Sequence, residues 1–497
     1  MIDLPLAELL LEGMEAPRWR DLPAYRRLFE TLRHAVLSRQ LMAGARLPAT
    51  RTLASDLAIS RNTVLQAYDQ LLAEGYVEAR TGSGTYIADT LPSSLALPQA
   101  DPGGEQASAP SRALSRRGAR LTEKPAAEHY EILEFVAGAN DFSTFPHKLW
   151  QRLQTKYWRE PGYEMLDYAR AGGHPRLREA VCDYLRISRS VRLCSEQIIL
   201  TSGTQQSLDL CARILSDPGD MVWMENPGYW GACRIFDAND LAMRPIQVDG
   251  EGMHPQADDL DTLPRMIYVT PSHQYPSDVV MSLSRRRLLV EFAARTGAWI
   301  LEDDYDSEFR FGGRPLASLQ GLDSHERVIY LGTFSKVLYP GIRVAYIVVP
   351  NDLVGAFRTG LADIQRPGQM AVQAALADFL AGGHFGTHVR NVRAAYGRSR
   401  ALLQATLKQN LLPEARLSNA DTGLHLVIHL PAHCDDRALV AEARLHSIDA
   451  RPLSAYYIAP PTSCGLVIGY GYTPHGAVVA RAEQLARIVN RQLRCNR

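Results

Sequence analysis

The sequence predicts a small winged helix-turn-helix at the N-terminus, a long linker, and a large α/β domain whose mostly parallel sheet is covered by helices. Three observations predict it. Residues 23–89 set three helical stretches before two short β segments around a glycine-rich tip. Residues 90–130 are rich in Pro, Ala, Ser and Gly and hold no sustained period. From Ile132 onward, short apolar runs alternate with amphipathic stretches, the pattern of strands buried on both faces.

The chain has 497 residues, long enough for two or more domains. Lysine plus arginine balance aspartate plus glutamate at 54 each, so nucleic-acid affinity has to come from a local patch. No apolar run is long enough to span a bilayer. Acidic residues flank Leu9-Leu10-Leu11, and no signal-peptide core precedes a cleavage site. The seven cysteines are an odd number without a C-x-x-C. Together these features predict a cytoplasmic protein with neither a disulfide framework nor a metal site.

Within the N-terminal part, Tyr25, Leu28, Phe29, Leu32 and Val36 fall on one helical stripe. Thr50 is placed to cap a short second helix ending near Leu57, and Ser60 to cap a third. Val64, Ala67, Tyr68 and Leu71 form that third helix's apolar face, and Gly75 stops it. Strands around Tyr76–Ala79 and Thr85–Ala88 flank the tip Arg80-Thr81-Gly82-Ser83-Gly84. "LPATR", "SRNTV", "LLAEGYVEAR" and "GSGTY" resemble the DNA-binding domain of GntR-type regulators over essentially its whole length. The resemblance implies that Arg51 contacts phosphate or base. It implies that Arg61, Asn62, Thr63 and Gln66, with Ser60 beside them, face the major groove, and that the Thr81-Gly82-Ser83-Gly84 tip reaches the minor groove. Helix N-termini, arginine forks and carboxamides suit such contacts. The rival reading is a small protein-binding domain with surface arginines.

The linker spans roughly 35 Å on average as a coil. It ends in a basic run, Arg112 to Arg120, suited to DNA or to an acidic surface of the large domain, or simply solvated.

In the large domain, strands are expected at Gln197–Thr201, Met221–Met224, Met266–Val269, Trp299–Glu302, Val328–Leu331 and Val344–Val349. In sheets of this kind ligands bind beyond the carboxyl ends of the strands. Chemically capable residues stand there: Ser202-Gly203-Thr204, Asn226-Pro227-Gly228-Tyr229, Ser272-His273-Gln274, Asp303-Asp304-Tyr305 and Thr333-Phe334-Ser335-Lys336. The chain has only five lysines, and one of them, Lys336, occupies such an end. A lysine in a dry crevice is the group that condenses with an aldehyde. Gly203, Thr204 and Gln205 open a helix whose free N–H groups suit a phosphate, and Arg343 adds a fork for its oxygens. Asp303 is placed to keep a pyridine nitrogen protonated, Tyr305 to bond a phenolic oxygen, and Tyr229 to stack on a ring. Each residue alone has an ordinary alternative as a loop, capping or core residue; five such sites in one crevice point to chemistry.

"SGTQQSL", "ENPGYWG", "EDDYDSEF" and "SKVLYPGIR" resemble the fold-type-I pyridoxal-phosphate enzymes, the aspartate aminotransferase family, over most of Ile132–Arg497. The resemblance implies pyridoxal 5′-phosphate on Lys336 as an aldimine, with Asp303 on the ring nitrogen, Tyr305 on the phenolate and Tyr229 on the ring face. It implies a phosphate cup from Gly203, Thr204, Thr333 and Arg343, and a smaller C-terminal α+β domain over about residues 372–497. It also implies a dimer-spanning site to which Tyr168 of the other subunit contributes. Two departures stand out. Leu466 in "CGLVIGYGY" takes the place of the substrate-carboxylate arginine, with Arg451 nearby in sequence. "HQYPSD" replaces the usual N-P-T-G loop, whose asparagine touches the ring oxygen.

The whole plan resembles the MocR subfamily of GntR-type regulators: domains at 1–89 (core 23–89) and 131–497 joined by a flexible linker at 90–130. It implies a transcription factor that senses pyridoxal phosphate or an amine effector, rather than an enzyme. Expected partners are operator DNA, a second copy arranged head to tail, and RNA polymerase, with no membrane. An aminotransferase carrying a DNA-binding head, and a partner-binding scaffold, are the alternatives.

Overall fold

A computed structural model describes residues 6–80, 83–88, 114–123, 133–168, 172–312, 316–365, 368–418 and 421–495. It divides into two compact units, residues 1–113 and 114–497. Among the described residues no helix is long and apolar enough to cross a membrane.

The first unit holds α1 (Leu6–Met14), α2 (Ala24–Leu37), α3 (Thr50–Asp56), α4 (Arg61–Ala73), β1 (Val77–Arg80) and β2 (Gly84–Ile87). Leu28, Phe29, Leu32 and Val36 of α2 meet Leu53, Leu57, Val64, Tyr68 and Leu71 in one core. Burying each is worth about 1.5–3 kcal/mol. Helix α1, which the sequence reading does not separate from its short leucine run, adds Leu10 and Met14 to that core. Ser60 caps α4, its hydroxyl accepting from the Thr63 N–H at 3.1 Å. Thr50 does not cap α3. It is that helix's first residue, after Ala49, which offers no side-chain oxygen. Beyond α4, Gly75 takes φ +78°, a left-handed turn that suits glycine. Strands β1 and β2 pair antiparallel from Val77↔Ile87 to Arg80↔Gly84. Thr81 and Gly82 lie outside the described residues.

The second unit begins with α5 (Arg116–Glu123), followed by α6 (His147–Arg159), α7 (Tyr163–Leu166), α8 (Pro175–Arg189), α9 (Thr204–Leu215) and α10 (Trp230–Ala238). Its main sheet holds β3 (Ile198–Thr201), β4 (Met221–Asn226), β5 (Ala242–Asp249), β6 (Gly252–Met253), β7 (Met266–Val269), β8 (Trp299–Asp304), β9 (Val328–Thr333) and β10 (Ala345–Val348). Their order is β3-β10-β9-β8-β7-β4-β5-β6. Strands β4, β5, β7, β8 and β9 run parallel, whereas β10 is antiparallel to both neighbours, β9 and β3. Two reversals leave β3 pointing the same way as β9. The carboxyl ends of β3, β4, β7, β8 and β9 therefore share one edge with the amino end of β10.

The C-terminal portion carries a separate antiparallel sheet, β11 (Arg416–Leu417), β12 (His425–Leu430), β13 (Arg451–Pro452) and β14 (Cys464–Gly469), in the order β11-β12-β14-β13. Within the segment expected as linker, Arg117 and Arg120 of α5 hydrogen-bond Asp240, just beyond the end of α10. The basic run's end thus packs on an acidic surface of this unit.

Candidate functional site

The shared edge opens into a cavity of about 350 Å³. Gly203, Thr204, Gln205, Tyr229, Asp303, Tyr305, Thr333, Lys336 and Arg343 all line it. Topology explains the gathering. Gly203 follows β3, Tyr229 follows β4, Asp303 lies at the end of β8 with Tyr305 just past it, Lys336 follows β9, and Arg343 stands just before the antiparallel β10, separated from it by Val344.

The Lys336 Nζ donates to the Gly138 carbonyl at 3.1 Å. Burial pulls its pKa below the usual lysine value, against Asp306 and Asp303, with Arg451 adding to the fall. A side chain on Gly138 would place a carbon 2.9 Å from the lysine nitrogen. Asp303 is 4% exposed. Its Oδ2 accepts from the Tyr268 hydroxyl at 2.7 Å, while its buried Oδ1 has no partner. Burial pushes this carboxyl up to about 7, against the Tyr268 hydrogen bond. The orphaned oxygen is where a protonated ring nitrogen would be accepted.

Gly203 has φ +147°, and a Cβ there would stand 3.1 Å from the Arg343 guanidinium. Helix α9 starts at the next residue, so its first-turn N–H groups lack intrahelical acceptors. N–H groups, guanidinium and dipole end together suit a phosphate. The Thr333 hydroxyl already accepts from the Ser335 N–H at 3.2 Å, and Ser335 joins the cavity wall. These groups fit a phosphorylated pyridine aldehyde: an amine for the aldehyde, an unpartnered carboxylate oxygen to accept from the ring nitrogen, an anion cradle for the phosphate.

Tyr168 is not part of this wall in its own chain. It is exposed and lines a separate depression with Tyr163, Asp167 and His174. Leu466 is not the residue facing the cavity either. It packs into the large core on the other face of β14. Its neighbour Val467 lies on the cavity side, in a cluster against which Ala137, Trp230 and Tyr275 pack. Arg451 is Val467's cross-strand partner and does line the cavity. Sequence reasoning could not place Arg451, because β13 is two residues long and leaves no periodic signal. It also missed the wall residues Tyr268, Tyr275, Trp230 and His425. Alternation could not have flagged even Tyr268, because its strand is buried on both faces.

In the first unit Arg51, Ser60, Arg61, Asn62 and Gln66 are exposed at α3 and the start of α4, and Thr63 is half-buried. The Thr63 hydroxyl also bonds the Ser60 cap at 2.8 Å, so it is partly spent on the helix end. Ser83 and Gly84 are exposed in the wing, the Ser83 hydroxyl bonded to Tyr86 at 2.6 Å.

Residues 131–465 match the family of class I and II aminotransferases, and residues 24–87 match the gntR family of bacterial regulatory proteins. The chain is 40% identical to the probable rhizopine catabolism regulatory protein MocR of Rhizobium meliloti, over 90% of each chain. It is 31% identical to the pyridoxine biosynthesis transcriptional regulator PdxR of Corynebacterium glutamicum, over 95% of each. Among solved structures it is similar to the kynurenine aminotransferase of Pyrococcus horikoshii in complex with PMP. That match has 25% identity and a TM-score of 0.68, covering 74% of this chain and 92% of the other.

Proposed function

Because the chain belongs to the MocR subfamily of GntR-type transcriptional regulators, we propose that its α/β body holds pyridoxal 5′-phosphate and reads a small amine through it, without sustained turnover. The observation that carries this reading is that one cavity holds both Lys336, half-buried with its amine on the Gly138 carbonyl, and Asp303, whose inner oxygen is unpartnered among the described residues.

When bound, the cofactor supplies an aldehyde that condenses with amines and a ring that withdraws electrons. The chain's own residues do the rest. Lys336, its pKa lowered by burial, gives up its proton more readily than a free lysine and would offer its amine to the aldehyde. Asp303 Oδ1 would accept the ring N–H, and that positive charge would favour its ionised form. Thr204, Gln205 and Arg343 would hold the phosphate, and Tyr229 would cover a ring face. Arg451, on the opposite wall, offers a charged fork to an anionic group on the amine.

Helix α10 ties this site to the linker. It starts at Trp230, directly after Tyr229, and Asp237 and Asp240 at its far end hold Arg117 and Arg120 of α5. A small movement of Tyr229 on ligand binding would be carried along one rigid helix to the chain that leads to the DNA-binding residues. A coupling of about 1–3 kcal/mol suffices for a usable switch. We take the domains as 1–89, 90–130 and 131–497, the protein as a head-to-tail homodimer with Tyr168 reaching the partner's site, and operator DNA and RNA polymerase as macromolecular partners.

The second reading is a working aminotransferase, favoured by the complete Lys336, Asp303 and Tyr305 set. The two are separated by adding pyridoxal phosphate and amines to cofactor-free protein while following visible absorbance, operator affinity and keto-acid release together. The regulator reading expects a new band and changed operator affinity with negligible release. Failure of any band to form would remove it.

A further inference from the structure

His273 lies in the loop after β7, behind the cavity wall, and no step above uses it. Its side chain has no solvent exposure, and neither do those of the two carboxylates that flank it. Asp306 Oδ2 is 2.7 Å from Nδ1, and Asp278 Oδ1 is 2.5 Å from Nε2. Asp278 holds φ +68°, left-handed backbone that Asp and Asn tolerate better than most residues. It occupies the glycine position of the usual N-P-T-G loop. From the other side, Gly423 has φ +85°, and a Cβ there would fall 1.8 Å from the imidazole. The ring is therefore fixed on every side.

Tyr305 faces the cavity, and its hydroxyl stands 3.1 Å from both His273 Nδ1 and the His273 carbonyl. If His273 were neutral with a bare Nδ1, that nitrogen would take the Tyr305 proton. With both ring nitrogens protonated, Nδ1 is a donor. The Tyr305 proton is then left for the backbone carbonyl or for a ligand atom in the cavity.

We infer that His273, clamped as an imidazolium between Asp278 and Asp306, is a positioning residue that keeps Tyr305 a hydrogen-bond donor toward the cofactor's phenolic oxygen. The clamp thereby sets the pH at which bound cofactor changes protonation state. This rests on the cofactor reading above. Burial alone would lower the imidazole's pKa, but Asp306 and Asp278 bring it up to about 10. The other titratable groups facing the clamp include His425 and His429 from β12, Tyr470 after β14, Asp303 and Asp304 on β8, and Lys336. His425, with its ring centroid 4.6 Å from that of His273, is driven well below its ordinary pKa by burial and by His273, so it is neutral. One imidazolium between two carboxylates leaves a net negative cluster, which favours positive charge at Lys336.

The test uses full-length protein loaded with pyridoxal phosphate, its visible absorbance titrated against pH. Asp278→Asn keeps an oxygen for Nε2–H and a residue suited to left-handed backbone, yet removes one negative charge. Its midpoint should fall by roughly half a pH unit or more. His273→Asn removes the positive charge and the Tyr305 anchor, so its midpoint should rise. Midpoints equal to wild type, or shifted the same way in both variants, overturn the inference. Should His273→Asn fail to fold, the direction of the Asp278→Asn shift decides alone. A wild-type chain with no band reducible onto Lys336 instead overturns the cofactor reading, and is recognised because it fails before any substitution.

Discussion

Arg451 stands directly across from Val467 in the β13–β14 pair, so both side chains leave the small sheet on the same face, toward Lys336. Arg451 thus brings a guanidinium to the cavity wall from the strand beside β14. Arg451→Ala should leave cofactor attachment intact and weaken an amine that bears a carboxylate by roughly tenfold or more, the worth of a charge-assisted hydrogen bond. The matching alkylamine should be unaffected. Titrating the visible band with an ω-amino acid and its decarboxylated counterpart checks this; equal losses for both would discount Arg451 as the anion contact.

Lys336 should be the sole point of cofactor attachment. Borohydride treatment followed by peptide mapping should place the label on the Lys336 peptide, and Lys336→Ala should take none. Label on Lys148, Lys156 or Lys408 would contradict the assignment.

Asp303 gives a pH signature. Its folded pKa is raised from 3.8 to about 7 by burial. The stability it contributes to cofactor-free protein is thus present below its unfolded value and lost as pH rises through about 7. A ring N–H⁺ would compensate the ionised form. Cofactor should therefore raise the melting temperature more at about pH 8 than at about pH 6, and Asp303→Asn should flatten much of that difference. The same pH dependence in the variant would assign it to Lys336 alone.

Arg51 is exposed in the first turn of α3 and Arg61 is exposed at the start of α4. Alanine at either should weaken operator binding by ~1–3 kcal/mol, and affinity should fall steeply with salt. Gel shifts with unchanged midpoints in both variants would exclude this surface as the reader.

The sequence made much of this legible where local chemistry and geometry coincide. Ser60 was readable as a cap because its hydroxyl stands three residues before the N–H it accepts from. The strand-end residues were readable because parallel strands bring their carboxyl ends together whatever their order. Arg343 needed more: it reaches the same edge only because β10 runs backward, which apolar content does not reveal. The face assignment of Leu466 failed because β14 is buried on both sides, so alternation carries no information there. The His273 clamp was invisible because Asp278 and Asp306 come from separate loops that only the fold brings together.

The most direct measurement is operator affinity of one preparation with and without cofactor and amine, beside the same measurement on Lys336→Ala, with keto-acid release monitored throughout. This account predicts a ligand-dependent change in wild-type affinity, no change in Lys336→Ala, and negligible release. Rapid turnover, together with DNA binding that ignores the ligand in both proteins, would contradict it.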